Sequence, residues 1–186
     1  MVGCNPGRGA VDSRRREGST YTVPYRPTPP PMATSQIQPG DPGLEKKLRN
    51  VVEGQVHFDA FTRGIFSTDA SHYQVEPLGV VFPATAEDIQ VVMEVAQEEN
   101  VPVLPRGAGT SQCGQTVGRA IVVDVSRHLT QLGGGNEDEI EVASGVVLDH
   151  LNAHLRDRHQ WFPVDPSTGS RATLGGMAGN NSAGAR

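Results

Sequence analysis

No stretch of this sequence is long and apolar enough to span a membrane, and no hydrophobic run follows the start as a signal peptide would require. Cysteine is nearly missing. The 2 thiols, Cys4 and Cys113, stand far apart with no CxxC spacing, which excludes a disulfide framework and a thiolate metal cluster. That usage fits the cytoplasm, with a peripheral seat on the inner membrane as the alternative. A basic excess is missing too. Arg8, Arg14, Arg15, Arg16 and Arg26 against Asp12 and Glu17 give the first 31 residues +3, and the total of −5 leaves −8 on the rest. An acidic body cannot displace counterions from phosphates, so nucleic acid is excluded as a partner.

Periodic hydrophobics are scarce over residues 1–36, where Pro27, Pro29, Pro30 and Pro31 cluster. Such a segment cannot bury enough surface to offset its ordering entropy, so a flexible tail is expected there, with the Arg14 to Arg16 run as solvated charge. The prolines also break the amphipathic helix that a mitochondrial presequence would need. Met32 opens the segment MATSQIQPGD, which gives the first 31 residues a second reading as sequence upstream of the true start.

Gly and Pro, by contrast, are abundant, at 22 and 14 of 186 residues, and they predict many tight turns. Asp41 followed by Pro42 has the form of an N-cap and first helical residue, opening a helix with Leu44, Leu48 and Val51 or Val52 on one side. A strand is expected at 55–58 and an irregular or helical segment at 61–73. From residue 78 the pattern sharpens. A strand at 79–82 precedes a helix that Thr85 caps, with Asp88 placed for a capping box and a stripe of Ile89, Val92, Met93 and Ala96. Strands follow at 101–104 and 120–125, the latter apolar enough to be buried on both faces, then at 140–143. A second helix over 147–158 carries the stripe Leu148, Leu151, Leu155. This alternation implies an α+β domain of α/β-like character with some parallel pairing.

Two glycine-rich segments carry the chemistry. The first, PRGAGTSQCGQ at 105–115, delivers Arg106, Gly107, Ala108, Gly109, Thr110, Ser111, Gly114 and Gln115 from the end of a strand. Small residues let backbone N–H groups approach an anion closely, and the two hydroxyls add donors, which suits a diphosphate. It is not a P-loop, because Gly114 is followed by Gln115 rather than Lys. Nor is it a GxGxxG fingerprint, because Gln112 replaces the third glycine and a strand follows instead of a helix. A ligand-free glycine turn is the competing reading of this loop alone. The second segment, DPSTGSRATLGGMAGNNSAGAR at 165–186, holds Pro166, Ser167, Thr173, Gly175, Gly176, Asn181, Ser182 and Gly184. Two such segments are costly to order unless something polar fills the space between them.

Together the segments resemble the FAD-binding domain of the vanillyl-alcohol oxidase and p-cresol methylhydroxylase (PCMH) type. They are most similar to its D-lactate dehydrogenase and glycolate oxidase branch of FAD-linked oxidases, with RGxGTSxxGQ at 106–115 and DPST, T-[IL]-GGM and NNSxGAR within 165–186. The lead-in STDASHYQVEPLGVVFP at 67–83 resembles that branch as well. The resemblance implies small parallel and mixed sheets flanked by helices, incomplete at the C-terminus. It implies a tail over 1–36, a helical lead-in over 37–76 and the FAD-binding domain over 77–186. It places the diphosphate grip on Arg106 to Ser111, Gly114 and Gln115. Contacts toward the ribityl chain and flavin ring fall on Pro166, Ser167, Thr173, Gly175, Gly176, Asn181, Ser182 and Gly184. Some relatives attach FAD through a His four residues after the loop Arg; Thr110 stands there, so non-covalent FAD is expected. The activity implied is oxidation of a 2-hydroxy acid such as D-lactate or glycolate, with the substrate residues in a later domain and an iron–sulfur electron-transfer module or subunit as partner. No catalytic residue is assignable. A truncated remnant without catalysis, or another alcohol or sugar substrate on the same scaffold, are the alternatives.

Two departures stand out. LGGGNED at 132–138 is richer in glycine than the branch's strand, predicting a looser connection, and Ser144 replaces a common Pro. His150 and His154 lie at i, i+4 but off the leucine stripe and without a third ligand, so a solvated face is expected rather than a metal site. The acidic run at 137–141 reads as a solvated turn. Cys113 reads as a small packing residue and Trp161-Phe162 as packing beneath the second segment.

Overall fold

The computed structural model describes residues 37–136 and 139–184. The expected tail, Cys4, the Arg14 to Arg16 run and Met32 lie outside the described residues, as do Glu137, Asp138, Ala185 and Arg186.

Asp41 caps helix α1 (Pro42–Val51), its carboxylate accepting the Leu44 N–H at 2.8 Å. Leu44 and Leu48 are buried; Val52 joins them at the core edge, while Val51 faces solvent. Strand β1 (Gln55–His57) and a short helix α2 (Ala60–Phe66), capped by Asp59, follow. Strand β2 (Gly79–Phe82) leads into helix α3 (Ala86–Glu98), then strands β3 (Val103–Arg106) and β4 (Ile121–Asp124). These strands form one sheet in the order β1-β2-β4-β3, with β1 antiparallel to β2 and the other pairs parallel.

Alternation decides which helix covers which face. Val81, Ile121 and Val123 point to the side of α1 and α3, where Leu44, Leu48, Val92, Val95 and Ala96 complete the main core. Val80, Phe82 and Val122 point to the other side, covered by Phe66 and Leu104. Central strands β2 and β4 are therefore buried on both faces, as their unbroken apolar runs predict.

Several expectations need correction. In α3 the buried stripe is Val92, Val95 and Ala96, and Met93 is 52% exposed. Strand β3 starts two residues later than expected and runs through Pro105 into Arg106, an edge position where the missing N–H costs nothing. Thr85 does cap α3 through the Asp88 N–H. Asp88 in turn accepts from the Thr85 N–H, as the capping box predicts, and does more besides. Its carboxylate accepts N–H groups of Glu53, Gly54 and Ala84 at 2.7, 3.0 and 2.8 Å, tying the α1–β1 turn to α3.

The remaining part pairs strand β5 (Leu132–Gly135) antiparallel to β6 (Ile140–Val142), so the stretch expected to be a loose connection is a strand. Helix α4 (Leu148–Leu155) buries Leu148, Leu151 and Leu155 as predicted and ends in a 3-10 turn, Arg156–Arg158. Helix α5 (Leu174–Gly179), inside the segment read as glycine-rich, was not anticipated. Val146, Leu151, Leu155, Ile140 and Leu174 pack together beside Leu148, Ala172 and Met177. Phe162 packs against both groups, whereas Trp161 is 51% exposed. No helix among the described residues is long and apolar enough to cross a membrane.

Candidate functional site

Loop 107–120 joins β3 to β4, two adjacent parallel strands, and every residue from Arg106 to Gln115 is partly or fully exposed. With no apolar anchor, polar ties must hold its shape. Arg106 supplies three. Its guanidinium donates to the carbonyls of Thr68 at 2.8 Å, Thr116 at 3.0 Å and Phe66 at 3.3 Å, and lies over the Phe66 ring. Burial pulls this guanidinium below its ordinary pKa, with Asp124 and Asp69 opposing. Asp69 supplies the next ties, accepting the Thr116 Oγ1–H at 2.9 Å, the Thr116 N–H at 3.4 Å and the Ser71 N–H at 2.8 Å. Burial raises its carboxyl pKa, but these hydrogen bonds outweigh burial and the net direction is down. Ala70 N–H donates to the Gly109 carbonyl at 3.0 Å. Gly109 and Gly114 have φ of +67° and +74°, which favour glycine. A Cβ on Gly109 would sit 2.6 Å from the tied Arg106 guanidinium, and one on Gly114 would sit 2.6 Å from the Tyr73 ring.

Ser111 closes the far end, its hydroxyl accepting the N–H groups of Cys113 and Gln115 at 3.3 Å and bonding the Gln115 side chain. From Gly107 to Gln112, no backbone N–H donates to a protein acceptor among the described residues. Cys113 is exposed, contrary to its expected packing role.

The second segment meets the first at two points. Gly107 lies against Thr173, whose Oγ1 occupies the space a Cβ would need. Gln115 Nε2 donates to Asn180 Oδ1 at 3.3 Å. Thr173 is 2% exposed and caps α5 through the Gly176 N–H at 3.2 Å. The N–H groups of Leu174 and Gly175 go to the carbonyls of Val146 and Ser144, both at 2.8 Å. The first turn of α5 is thus satisfied by protein and is no anion site. Gly175 packs on Ser144, and Gly184 lies against the Asp165 backbone. Asn181 has φ of +48°, and Ser182 N–H donates to the Met177 carbonyl at 2.9 Å. Pro166 carbonyl accepts the Gly169 N–H at 3.0 Å, while Ser167 is exposed.

Of the residues expected on the second segment, Thr173 meets the first loop, at Gly107. Sequence reasoning missed the backing of the first loop by Phe66, Asp69, Tyr73 and Thr116, and the bridge through Asn180. TDAS at 68–71 lies within the lead-in, but nothing in its composition says that Asp69 points at a residue 47 positions away. His150 and His154 are exposed, and among the described residues no three His, Cys, Asp or Glu gather as for a metal.

The arrangement fits the diphosphate of FAD: small residues, an accessible run of N–H groups without protein acceptors, and the hydroxyl-bearing Thr110 and Ser111 beside them. Comparison with known proteins agrees. The family described as "FAD binding domain" matches residues 77–186. D-2-hydroxyglutarate dehydrogenase from Pseudomonas putida KT2440 is 38% identical over 149 residues, 77% of this chain and 15% of that protein. Glycolate oxidase subunit GlcD from Bacillus subtilis 168 is 32% identical over 73% of this chain and 30% of its own. The chain thus spans less than a third of each relative. The solved structure of alkyldihydroxyacetonephosphate synthase superposes with a TM-score of 0.67 at 20% identity, covering 77% of this chain and 32% of that one. That likeness shows the fold, a PCMH-type one. With the family's model matching residues 77–186, more than half of its length, this chain belongs to the FAD-binding domain family.

Proposed function

We propose that this chain is the diphosphate-binding part of a flavoenzyme that oxidises a D-2-hydroxy acid. The observation that carries the binding role is the braced loop 106–116, whose N–H groups from Gly107 to Gln112 have no protein acceptor among the described residues. Residues Arg106 to Ser111, Gly114 and Gln115 form and hold the diphosphate grip. Within that set Arg106 acts from behind, because its donors are already engaged by three carbonyls. Pro166, Ser167, Thr173, Gly175, Gly176, Asn181, Ser182 and Gly184 form the side toward the ribityl chain and flavin. Thr110 offers no nucleophile of the kind that ties a flavin ring to protein, so FAD stays dissociable. When bound, FAD supplies the two-electron chemistry that takes a 2-hydroxy acid to a 2-oxo acid. The chain's own part is to bind and orient it.

The substrate class rests on the relatives. The D-2-hydroxyglutarate dehydrogenase is more similar than the glycolate oxidase subunit, at 38% against 32% identity, which favours D-2-hydroxyglutarate over the shorter acids. Substrate residues and any iron–sulfur partner belong to the whole protein. Two measurements test the reading. The chain prepared with FAD should carry oxidised-flavin absorbance, and denaturation should release all of it; flavin remaining with denatured protein overturns non-covalent binding. In the whole protein, D-2-hydroxyglutarate should bleach the flavin faster than D-lactate or glycolate. Bleaching by none of the three sinks the substrate class.

A further inference from the structure

The segment 66–76 stands some 30 or more positions before the glycine loop, yet it carries many of the loop's ties. Asp69 takes both donors of Thr116, its N–H and its Oγ1–H, while its other oxygen is fixed by the Ser71 N–H. The neighbouring Ala70 N–H holds the Gly109 carbonyl, and the Thr68 and Phe66 carbonyls hold Arg106. Tyr73 backs Gly114. The loop is thus gripped near its start, at Gly109, at Gly114 and at its end.

We infer that Asp69 is a positioning residue for FAD: paired with Thr116, it sets loop 106–116 in its binding shape before the cofactor arrives. This rests on the reading that the loop binds the diphosphate. A glycine-rich loop free to sample many shapes would bind FAD only through the fraction already competent, so affinity falls by that fraction. A loop stitched at both ends avoids this loss. The carboxylate is also an anion close to the loop, and it repels a diphosphate at long range. The two effects have opposite signs, which makes the inference testable. If shape dominates, removing the charge weakens FAD binding. If charge dominates, removing it tightens binding.

The test uses the full 186-residue chain and titrates FAD by flavin fluorescence. Asp69→Asn keeps a single acceptor oxygen, so either both Thr116 ties or the Ser71 tie is lost, and the charge goes with it. FAD binding should weaken about tenfold or more, the scale of a lost charge-assisted hydrogen bond. Thr116→Val should weaken it similarly, Thr116→Ser should restore it, and the double variant Asp69→Asn/Thr116→Val should be little worse than either single one. Glu76→Gln, which removes the nearby Arg63–Glu76 ion pair at 3.1 Å without touching the loop, should bind like the parent. Hydrogen exchange on the FAD-free chain supplies a readout that does not depend on binding. In Asp69→Asn the amides of Ala70, Cys113, Gln115 and Thr116 should exchange faster, with β2 and β4 amides unchanged. Tighter FAD binding in Asp69→Asn, an equal loss in Glu76→Gln, or loosening of β2 and β4 along with the loop overturns the inference. If the parent itself binds no FAD, the functional reading fails separately, and the exchange pattern still decides whether Asp69 sets the loop.

Discussion

Gly107 and Thr173 touch so closely that a Cβ on the glycine would overlap the threonine Oγ1, the same oxygen that caps α5. The first glycine segment is therefore registered on the second here, as it is at Gln115 and Asn180. Gly107→Ala should push the loop off the cap, lowering stability by about 1–3 kcal/mol as overpacking does and weakening FAD binding more than stability. Chemical denaturation beside a flavin titration separates the two. Thr173→Ala keeps the space but loses the cap, and should cost about 1 kcal/mol with a smaller effect on FAD.

Asp88 ties two elements through backbone N–H groups while only 3% exposed. Burial raises its carboxyl pKa, but the N–H groups of Glu53, Ala84, Gly54 and Thr85 outweigh that and leave it below the ordinary value. A lowered folded pKa means that the carboxylate's stabilisation is fully present above the unfolded value of about 3.9 and is lost as pH falls through the folded one. Denaturation midpoints of the parent should thus decline below about pH 4, and Asp88→Asn should flatten that decline. At neutral pH, Asp88→Ala should cost about 3 kcal/mol, because it leaves buried N–H groups without acceptors.

Along α3, Val95 is buried and Met93 is exposed, the reverse of the expectation for Met93. Val95→Ala should cost roughly 2 kcal/mol from lost packing, whereas Met93→Ala should stay within about 0.5 kcal/mol. Equal costs would mean that the helix is rotated from the orientation described.

What the sequence revealed follows from this. Strands β2 and β4 were legible because residues buried on both faces leave an unbroken apolar run. Helix α4 was legible because its stripe is all leucine. Met93 misled because two adjacent apolar residues both fit a helical stripe, and only the sheet beneath decides between them. Strand β5 has three glycines and no alternation, so its pairing with β6 comes from tertiary context. Helix α5 hides for a similar reason, since Leu-Gly-Gly-Met-Ala-Gly has poor helix propensity and is held by its cap and by the carbonyls of Ser144 and Val146. At the candidate site, the loop residues stood out as glycine and hydroxyl clusters. Those that brace them, Asp69 and Thr116 above all, are ordinary residues whose meaning lies in where the chain returns.

Parallel neighbours β3 and β4 are joined by loop 107–120 with no helix between them. Most parallel connections spend their length on a helix that pays its way by packing. In this domain the crossover and the segment proposed to bind the diphosphate are one stretch of chain. On that proposal its length is fixed twice, once by the distance back to the start of the next strand and once by the shape of a diphosphate. Insertions tolerated by other surface loops should disrupt both at once. Filling the site should also stabilise the folded domain, by about 2.7 kcal/mol at a hundredfold excess of FAD over its Kd, and so raise its unfolding midpoint. Cofactor loss and sheet failure become a single event.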